Sequence, residues 1–470
     1  MERLDGYIFP AVCSSYFLIS CLVFSKITWE QRDSYMDEIF HIPQAQKYCQ
    51  GKFTEWDPMI TTLPGLYLLS VGVIKPLVWS LGWTEKAVCS VAMLRFINVL
   101  FNCGNFYILY LIICRIHPKD KSRTTGRRVL SALTLSTFPV LYFFTFLYYT
   151  DSGSTFFTLF TYLMCLYRCH KAAALLAVCA VLFRQTNIIW VAFCAGTVLA
   201  QKMDETWRVE QSKKRDEKST SQIPMQLGRI VQFLLKYFTS PANIKNVVLS
   251  AWPYGVAGLG FLAFVVLNDG IVVGDRTSHE ACLNFPQLFY FCSFALVFSL
   301  PTTLCYQRVV RFLQSVRKHP FLSLLITALS LLLVWKFSFV HKYLLADNRH
   351  FPFYVWMRIY QRHELIRFLL VPAYLFAAWN LIDTLKSRSP FWILAFCVCL
   401  VAATVPQKLL EFRYFILPYL FYRIHIPLPS LPRLLLEFAL YTAVNAATIY
   451  IFLYKAFQWP DSPAVQRFMW

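Results

Sequence analysis

Long apolar runs recur along the whole chain and are separated by short polar segments. A membrane-spanning helix needs about 20 mostly apolar residues, and the clear runs together with weaker ones predict roughly twelve spans. The clear runs are Tyr7–Phe24, Val91–Cys114, Val129–Tyr149, Thr155–Tyr167, Val248–Leu267, Gln287–Leu304, Phe321–Val340, Leu365–Ile382, Phe391–Val405 and Phe438–Tyr454. The pattern therefore predicts an all-α polytopic membrane protein.

Composition agrees with this fold class, because 57% of the residues are hydrophobic and only 15% are charged. The first run, Tyr7–Phe24, has the place of a secretory signal. It is long and aromatic-rich, however, and no A-x-A cleavage pattern follows it. We therefore expect it to be retained as the first span.

The net charge of +20 is concentrated in a few polar loops, at 117–128, 201–229 and 307–318. Basic loops of multispan proteins lie preferentially on the cytosolic side, so the charge indicates membrane orientation rather than nucleic-acid binding. The run QSKKRDEKSTSQ predicts a flexible linker. We accordingly expect a transmembrane module at 1–200, a basic cytosolic linker at 201–247 and a second transmembrane module at 248–470.

The acidic loop at 25–63 is expected on the opposite side of the membrane. If residues 66–81 formed a full span, the basic loop 117–128 would lie on the non-cytosolic side. We therefore favour a re-entrant or interfacial segment at 66–81, which contains Lys75 and Pro76. A full span remains the alternative.

Most of the 15 cysteines lie inside apolar runs, and the expected disulfide, if one forms, joins Cys49 to Cys282, since both lie in polar segments.

Polar side chains that can carry chemistry cluster in the first loop and at the ends of later spans. Ionisable groups at a membrane edge are functional candidates. The first-loop candidates are Asp37, Glu38, His41, Gln44 and Asp57, and the others are Asp151, Arg184, Asn187, Asp275, His279, His341, Lys342, Asp347, Arg349, His350, Glu411 and Arg413. A structural interpretation stands beside each: Arg184 pairs with Asp151 to hold helices together, Arg413 reaches the head groups, and Asp347 forms a turn.

This mixture of groups suits a reaction at a lipid–water boundary. A carboxylate can accept a proton from an attacking hydroxyl, and cations can stabilise the charge on a departing phosphate. The chain has no Walker loop, HExxH, GxSxG or DxD motif. Two classes remain: an enzyme that acts on a lipid-linked phosphate, and a transporter. The absence of an internal repeat and the grouping of polar residues on one side favour the enzyme.

Six segments in order resemble one family along the whole chain: YMDEIFHIPQAQKYC, WDPMITTLPGLY, FRQTNIIW, GDRTSHEACLNFPQLFY, HKYLLADNRHFPFYVW and PQKLLEFRYFILPY. They resemble the endoplasmic-reticulum glucosyltransferases that add the last, α-1,2-linked glucose to the dolichol-linked oligosaccharide. The resemblance implies a C-type glycosyltransferase fold in the endoplasmic reticulum membrane, with the site in the luminal loop 25–63 of the N-terminal module.

The resemblance also implies inverting transfer of glucose from dolichyl phosphate β-glucose to a diglucosylated dolichyl-diphosphate oligosaccharide. The early luminal acid is the usual base in this family and maps onto Asp37, with Glu38 as the competing choice. Asp37, His41 and Gln44 share a helical face if the segment is a helix, but Pro43 more naturally begins one.

For the donor phosphate we expect Arg349 and His350, with Lys342 and Arg184 as weaker candidates. Asp275, His279, Glu411 and Arg413 are expected to bind sugar hydroxyls. Cationic side chains suffice for a monophosphate leaving group, so we expect neither a cofactor nor a metal. The alternative of a different class is a membrane protein that regulates a partner such as an ion channel.

Overall fold

Helices make up nearly all of the regular structure in the computed structural model, which describes residues 2–82, 89–118, 125–217, 227–276 and 281–470. The helices up to the basic linker are α1 (Glu2–Glu30), α2 (Glu38–Cys49), α3 (Gly65–Leu81), α4 (Val91–Ile116), α5 (Thr125–Ser136), α6 (Pro139–Phe144), α7 (Asp151–Leu166), α8 (His170–Phe183) and α9 (Ile188–Glu217). A turn of 3-10 helix at Gln185–Asn187 joins α8 to α9.

The later helices are shorter and more often interrupted. They are α10 (Leu227–Thr239), α11 (Pro241–Leu267), α12 (Pro286–Thr303), α13 (Tyr306–Lys318), α14 (Pro320–Phe337), α15 (Lys342–Ala346), α16 (Phe351–Val355), α17 (Ile366–Leu369), α18 (Val371–Leu385), α19 (Pro390–Thr404), α20 (Ile416–His425) and α21 (Leu431–Tyr454). A π-helical turn, Trp356–Tyr360, follows α16, and a 3-10 turn, Phe412–Phe415, precedes α20. The predicted helical class is confirmed.

Six helices in the described part of the chain are long and apolar enough to cross a membrane. They are Tyr7–Glu30, Val91–Ile116, Pro241–Leu267, Pro320–Phe337, Ile366–Leu385 and Leu431–Tyr454. In three of them, only 11% of the most apolar stretch is buried inside the protein. The exposed apolar surface of these helices is the surface that lipid chains would cover, which indicates a multi-pass membrane protein.

The predicted single span over 129–149 is wrong. Helix α5 ends at Ser136, α6 covers only Pro139–Phe144, and α7 begins at Asp151. Pro139 explains the first break, because proline disfavours helical geometry in the preceding residue, and Phe138 there has φ −53° and ψ 123°. The second break leaves residues 145–150 outside an α-helix and brings Asp151 to the start of α7.

One aromatic core joins the two predicted transmembrane modules, 1–200 and 248–470. Phe138 lies 4.6 Å from Tyr419 in a stacked pair, and the ring of Trp190 stacks on Phe421 at 4.7 Å. Aromatic pairs of this kind add about 0.5–1.5 kcal/mol to the stability gained from the surface area that they bury.

The predicted linker 201–247 is partly helical where it is described, since helix α9 continues to Glu217 and α10 begins at Leu227.

A disulfide joins Cys49, the last residue of α2, to Cys89, which directly precedes α4. The expected pairing of Cys49 with Cys282 is therefore wrong, because Cys282 carries a free thiol in a separate segment. The Cα atoms of Cys49 and Cys89 lie 6.7 Å apart, so the end of α2 and the start of α4 are held close together. That geometry is consistent with a re-entrant or interfacial segment at 66–81.

The chain ends in a small antiparallel β-hairpin that the apolar pattern does not predict. Its strands are β1 (Phe457–Trp459) and β2 (Ser462–Gln466), with Phe457 opposite Gln466. The four residues after β2 run back into the protein, where Met469 is 1% exposed and Trp470 is 8% exposed. The end of the chain is thus a packed part of the fold.

Replacement of Cys49 by serine should lower the thermal stability of the purified protein. The disulfide closes a loop with a sequence separation of 40, for which chain entropy alone gives about 4 kcal/mol. Thermal unfolding in detergent measures the effect, with Cys169→Ser, which removes an exposed free thiol, as the unchanged control. Disulfide mapping by mass spectrometry that links Cys49 to any cysteine other than Cys89 would contradict the assignment.

Candidate active site

A strained turn presents the first candidate carboxylate. Met36 has a positive φ of 55°, which is uncommon for a residue other than glycine and costs about 1–3 kcal/mol. Asp37 follows it and immediately precedes α2. Strained backbone of this kind persists where surrounding contacts hold it. Here Glu38, the residue after Asp37, supplies those contacts.

Glu38 is fully buried and forms an ion pair with Arg95 of α4 that two hydrogen bonds hold. Arg95 donates from Nε to Oε1 at 2.8 Å and from Nη2 to Oε2 at 2.6 Å. The carboxylate also accepts the backbone N–H of Tyr35 at 3.0 Å and that of Tyr148 at 2.6 Å. Glu38 therefore fixes the turn on both sides of Asp37 and ties it to the segment before α7.

Arg95 is one of four polar residues on one face of α4 that the sequence analysis did not select. The other three are Asn98, Asn102 and Asn105, and all four are buried. Their spacing of three and four residues inside an apolar run is visible in the sequence and is the signal that would have found them. Asn98 donates to the carbonyls of Leu147 and Tyr149, and Asn105 to that of Ser152.

Arg413 is the centre of the charged cluster. Its Nη1 lies 3.3 Å from Oδ2 of Asp37 and 3.7 Å from Oδ2 of Asp151, while its Nε donates to Oε1 of Glu411 at 2.6 Å. Arg184 reaches Asp151 from the other side, with Nη1 3.0 Å from Oδ1. The structure thus brings together five of the predicted residues from four separate segments.

Aromatic rings hold the Arg413 guanidinium in place. Its central carbon lies 5.0 Å from the ring centre of Phe144 and 5.1 Å from that of Tyr149, within the range of cation–π attraction. The hydroxyl of Tyr149 accepts the backbone N–H of Asp37 at 3.2 Å. The non-helical segment before α7 therefore contacts both the guanidinium and the candidate base.

The electrostatic surroundings keep Asp37 ionised. Burial opposes its charge, but Arg413, followed by His41 and His350, outweighs burial and lowers the pKa of Asp37 below its usual value. Its side chain nevertheless remains 43% exposed, whereas that of Glu38 is 0% exposed. Burial lowers the pKa of His41 to about 4, so its imidazole is neutral at pH 7, beside the hydroxyl of Tyr67.

A cavity opens beside this cluster. Its polar lining includes Asp151, Arg184 and Arg413, and its apolar lining includes Trp190 and Leu417. Oδ2 of Asp151 is buried without a hydrogen-bond partner among the described residues. A buried carboxylate oxygen of this kind is costly unless a donor reaches it, and a ligand hydroxyl in the cavity would be one.

The predicted segment Asp347–His350 lies near the cluster and is extensively paired. Arg349 donates to Asp347 from Nε and from Nη2, each at 2.8 Å, and from Nη1 to Oε1 of Gln466 at 2.9 Å. Desolvation opposes the charge of Arg349, but Asp347 outweighs it and raises the pKa of the guanidinium. Because its guanidinium already bonds Asp347 and Gln466, Arg349 is less available to bind a phosphate than the sequence predicted.

Gln44 and Asp57 support the first loop. Gln44 is 1% exposed; its amide nitrogen donates to the carbonyl of Glu55 at 2.7 Å and its amide oxygen accepts the N–H of Asp57 at 3.0 Å. Pro43 lies inside α2, so the expectation that it begins a helix is wrong. Pro43 is the sixth residue of α2, beyond the first four positions whose N–H groups lack intrahelical partners, so the helix forgoes one backbone hydrogen bond there.

The remaining predicted residues have other local contacts. Asn187 donates to Ser154 at 2.8 Å and lines the cavity. Asp275 bonds through its N–H to the carbonyl of Pro58 at 2.8 Å, and His341 accepts the N–H of Tyr343 at the start of α15. Lys342 lies over the ring of Tyr343. His279 lies outside the described residues.

The arrangement combines an accessible ionised carboxylate, two guanidinium groups and a cavity lined by both polar and apolar side chains. It can accept a proton at Asp37, bind an anion near Arg184 and hold an apolar chain near Trp190 and Leu417. These are the requirements of group transfer from an amphipathic, phosphate-bearing lipid.

Comparisons with known proteins agree along the whole chain. A model of the DIE2/ALG10 family matches residues 31–424. A Mus musculus protein named Dol-P-Glc:Glc(2)Man(9)GlcNAc(2)-PP-Dol alpha-1,2-glucosyltransferase is 58% identical over 474 residues, covering all of both chains. Proteins of the same name are 57% identical in Homo sapiens, over all of both chains, and 33% identical in Arabidopsis thaliana, over 93% of this chain and 95% of that one.

The two adjacent carboxylates should respond differently to removal of charge. Glu38→Gln leaves Arg95 buried without its counter-ion and should destabilise the fold by about 3–5 kcal/mol. Asp37→Asn, at an accessible position, should change stability by less than about 1 kcal/mol. Thermal unfolding of the two purified variants in detergent measures this contrast, and equal midpoints would refute the assigned division of roles.

Proposed function

Because the chain belongs to the DIE2/ALG10 family, we propose that it transfers glucose from dolichyl phosphate glucose to a dolichyl-diphosphate oligosaccharide that already carries two glucoses. The new linkage is α-1,2, as in the activity named for its full-length relatives. Identity of 57–58% over entire chains supports this transferase function over the channel-regulator and transporter alternatives.

The observation that carries the mechanism is the unequal burial of Asp37 and Glu38. Glu38 has its carboxylate sealed against Arg95 and two backbone N–H groups, so no acceptor hydroxyl reaches it. Asp37 is accessible and ionised beside Arg413. We therefore assign Asp37 as the general base, and Glu38 as the residue that holds it.

The reaction inverts the anomeric centre in one displacement. The acceptor hydroxyl oxygen attacks the anomeric carbon, Asp37 takes the hydroxyl proton, and the bond between that carbon and the phosphate oxygen breaks. Dolichyl phosphate leaves with the bonding electron pair. Inversion requires the base and the leaving phosphate on opposite faces of the sugar.

The cavity supports a binding mode for the donor. Arg184 lines it together with Ile189, Trp190 and Leu417. A lipid phosphate suits this mixed lining, with the phosphate at the guanidinium and the first isoprenoid units against the apolar side chains. Arg184 is thus the stronger candidate for the phosphate, with Arg349, His350 and Lys342 as the alternatives.

We propose that the transfer needs no metal ion. A monophosphate leaving group carries less charge than a diphosphate, and fixed cations can stabilise it. Arg413 supports this proposal, because its guanidinium lies among the carboxylates of Asp37, Asp151 and Glu411. It supplies positive charge at the place where a divalent ion would otherwise be expected.

We further propose an endoplasmic reticulum location, a luminal site and a C-type fold with roughly twelve spans. The disulfide at Cys49 and Cys89 supports the luminal side, since disulfides persist in oxidising compartments. Shorter apolar helices, His170–Phe183 and Pro390–Thr404, supplement the six long ones.

Asp37→Asn should reduce glucose transfer by about 10²- to 10⁴-fold, the range for loss of a positioned base. The assay uses purified protein, synthetic dolichyl phosphate glucose and a diglucosylated lipid-linked acceptor, each with and without EDTA. Asp33→Asn is the matched control, because Asp33 is an exposed acid of the same loop. Transfer that survives in Asp37→Asn would reject the base assignment, and loss of wild-type transfer in EDTA would reject metal independence.

Arg413→Gln should move the acidic limb of the kcat/KM profile to higher pH. The base acts only when ionised, so activity falls as the pH falls through the pKa of Asp37. Arg413 is the leading charge that opposes the effect of burial, so its removal raises the pKa of Asp37 even though His41 and His350 still lower it. The pH–rate profile measures the limb; an unchanged limb would show that Arg413 does not control the ionisation of the base.

A further inference from the structure

The C-terminal residues 462–470 lie beside the candidate active site although they belong to none of the segments described as its lining. The hairpin strand β2 ends at Gln466, and Arg467, Met469 and Trp470 are each less than 9% exposed. Burial of this extent in a short segment that follows the last long helix calls for a role beyond filling space.

Arg467 ties this segment to the loop that carries Asp37. Its N–H donates to the hydroxyl of Tyr35 at 2.8 Å, and that hydroxyl donates back to the Arg467 carbonyl at 2.6 Å. Its Nε donates to Oε1 of Gln31 at 2.9 Å. Nη1 donates to the carbonyls of Phe452 and Leu453 at the end of α21. The first loop is therefore anchored on the last transmembrane helix through one side chain.

The same segment also holds the predicted cations at 349–350. The N–H of Met469 donates to the carbonyl of Arg349 at 2.9 Å, and the N–H of Phe351 donates to the carbonyl of Met469 at 3.0 Å. Nδ1 of His350 lies 2.8 Å from the main-chain oxygen of Trp470. This short parallel pairing fixes the backbone that presents Arg349 and His350.

A third contact reaches the segment that carries Arg413. The ring of Trp470 packs against that of Phe412, with 5.9 Å between the centres, and Phe412 directly precedes Arg413. Residues 466–470 thus touch the loop of the base, the segment of the two cations and the segment of the central arginine.

We propose that Arg467 is a positioning residue for the transfer reaction: its side chain fixes the C-terminal segment against Gln31 and the end of α21, and its backbone, bonded to Tyr35, holds the turn of Asp37 in register with the cations of the site. The inference rests on the proposed function. Tyr35 lies two residues before Asp37, and the intervening Met36 has a left-handed backbone. A turn with this strain needs external contacts to keep its shape.

The expected effect is on the rate rather than on binding. A displacement of about 1 Å at a reacting group costs on the order of 100-fold in rate. Because proton transfer to Asp37 occurs only in the transition state, its misplacement lowers kcat and kcat/KM together. The KM for the donor should stay within about 3-fold of the wild-type value, since Arg467 is not among the described residues that line the cavity.

The test compares Arg467→Ala, Tyr35→Phe and the control Arg317→Ala in the full-length protein. Arg317 is exposed on α13. Arg467→Ala removes the side-chain bonds to Gln31 and α21 that fix the segment and should lower kcat by about 100-fold, whereas Tyr35→Phe removes only the hydroxyl that bonds the Arg467 backbone and should lower it by about 10-fold. Wild type and Arg317→Ala decide the proposed function independently: if neither transfers glucose, that function fails whatever the other variants do.

A double-mutant cycle separates positioning from a general loss of structure. In the Asp37→Asn background, Arg467→Ala should cost less than about 3-fold, because there is no base left to position. An equal loss in both backgrounds, or Arg467→Ala activity within about 3-fold of wild type, would overturn the proposal. If Arg467→Ala does not yield folded protein, the same cycle with Tyr35→Phe decides.

Discussion

The ion pair between Glu38 and Arg95 is the interaction on which the candidate site depends. Two charges in an apolar interior are costly unless their remaining hydrogen-bonding groups are satisfied. Here the Glu38 carboxylate accepts Arg95 twice and two backbone N–H groups, and Arg95 also donates to the carbonyls of Gln31 and Asp33. Removing either partner would leave the other buried and uncompensated. Of the two adjacent carboxylates, Glu38 is thus structural, and Asp37 is left accessible for chemistry.

The break before α7 is the second constraint, and the polar face of α4 makes it tolerable. Non-helical backbone at membrane depth persists only where protein or water satisfies its polar groups. Asn98 donates hydrogen bonds to the carbonyls of Leu147 and Tyr149, and Glu38 accepts the N–H of Tyr148. The freed segment can then direct Tyr149 at Asp37 and Arg413 while Asp151 faces Arg184. A continuous helix over 129–149 would not present these side chains to one site.

The sequence allowed prediction of the helical class, the acidic first loop and most members of the charged cluster, because apolar length and ionisable residues at span ends are local signals. It did not reveal how these residues pair. Arg95 was missed although its helical spacing with Asn98 was visible, since the partner Glu38 lies 57 residues away. Cys49 was assigned to the more distant Cys282, because the polarity of a segment does not show which segments meet in space. Arg467 was invisible as a site neighbour, because its contact with Tyr35 spans 432 residues.

The balance of charge around Arg413 bears on how such a site would act. Asp37, Asp151 and Glu411 carry three negative charges, and Arg184 and Arg413 carry two positive ones, when all are ionised. Glycosyl transfer develops positive charge on the sugar and negative charge on the phosphate at the same time. A cluster in which carboxylates and guanidinium groups alternate can stabilise both if the sugar lies against the acids and the phosphate against Arg184. A uniformly basic pocket would bind the donor phosphate more strongly, but it would oppose the charge that forms at the anomeric carbon. Such a mixed cluster would therefore favour the transition state over the ground state, and that difference is what accelerates a reaction.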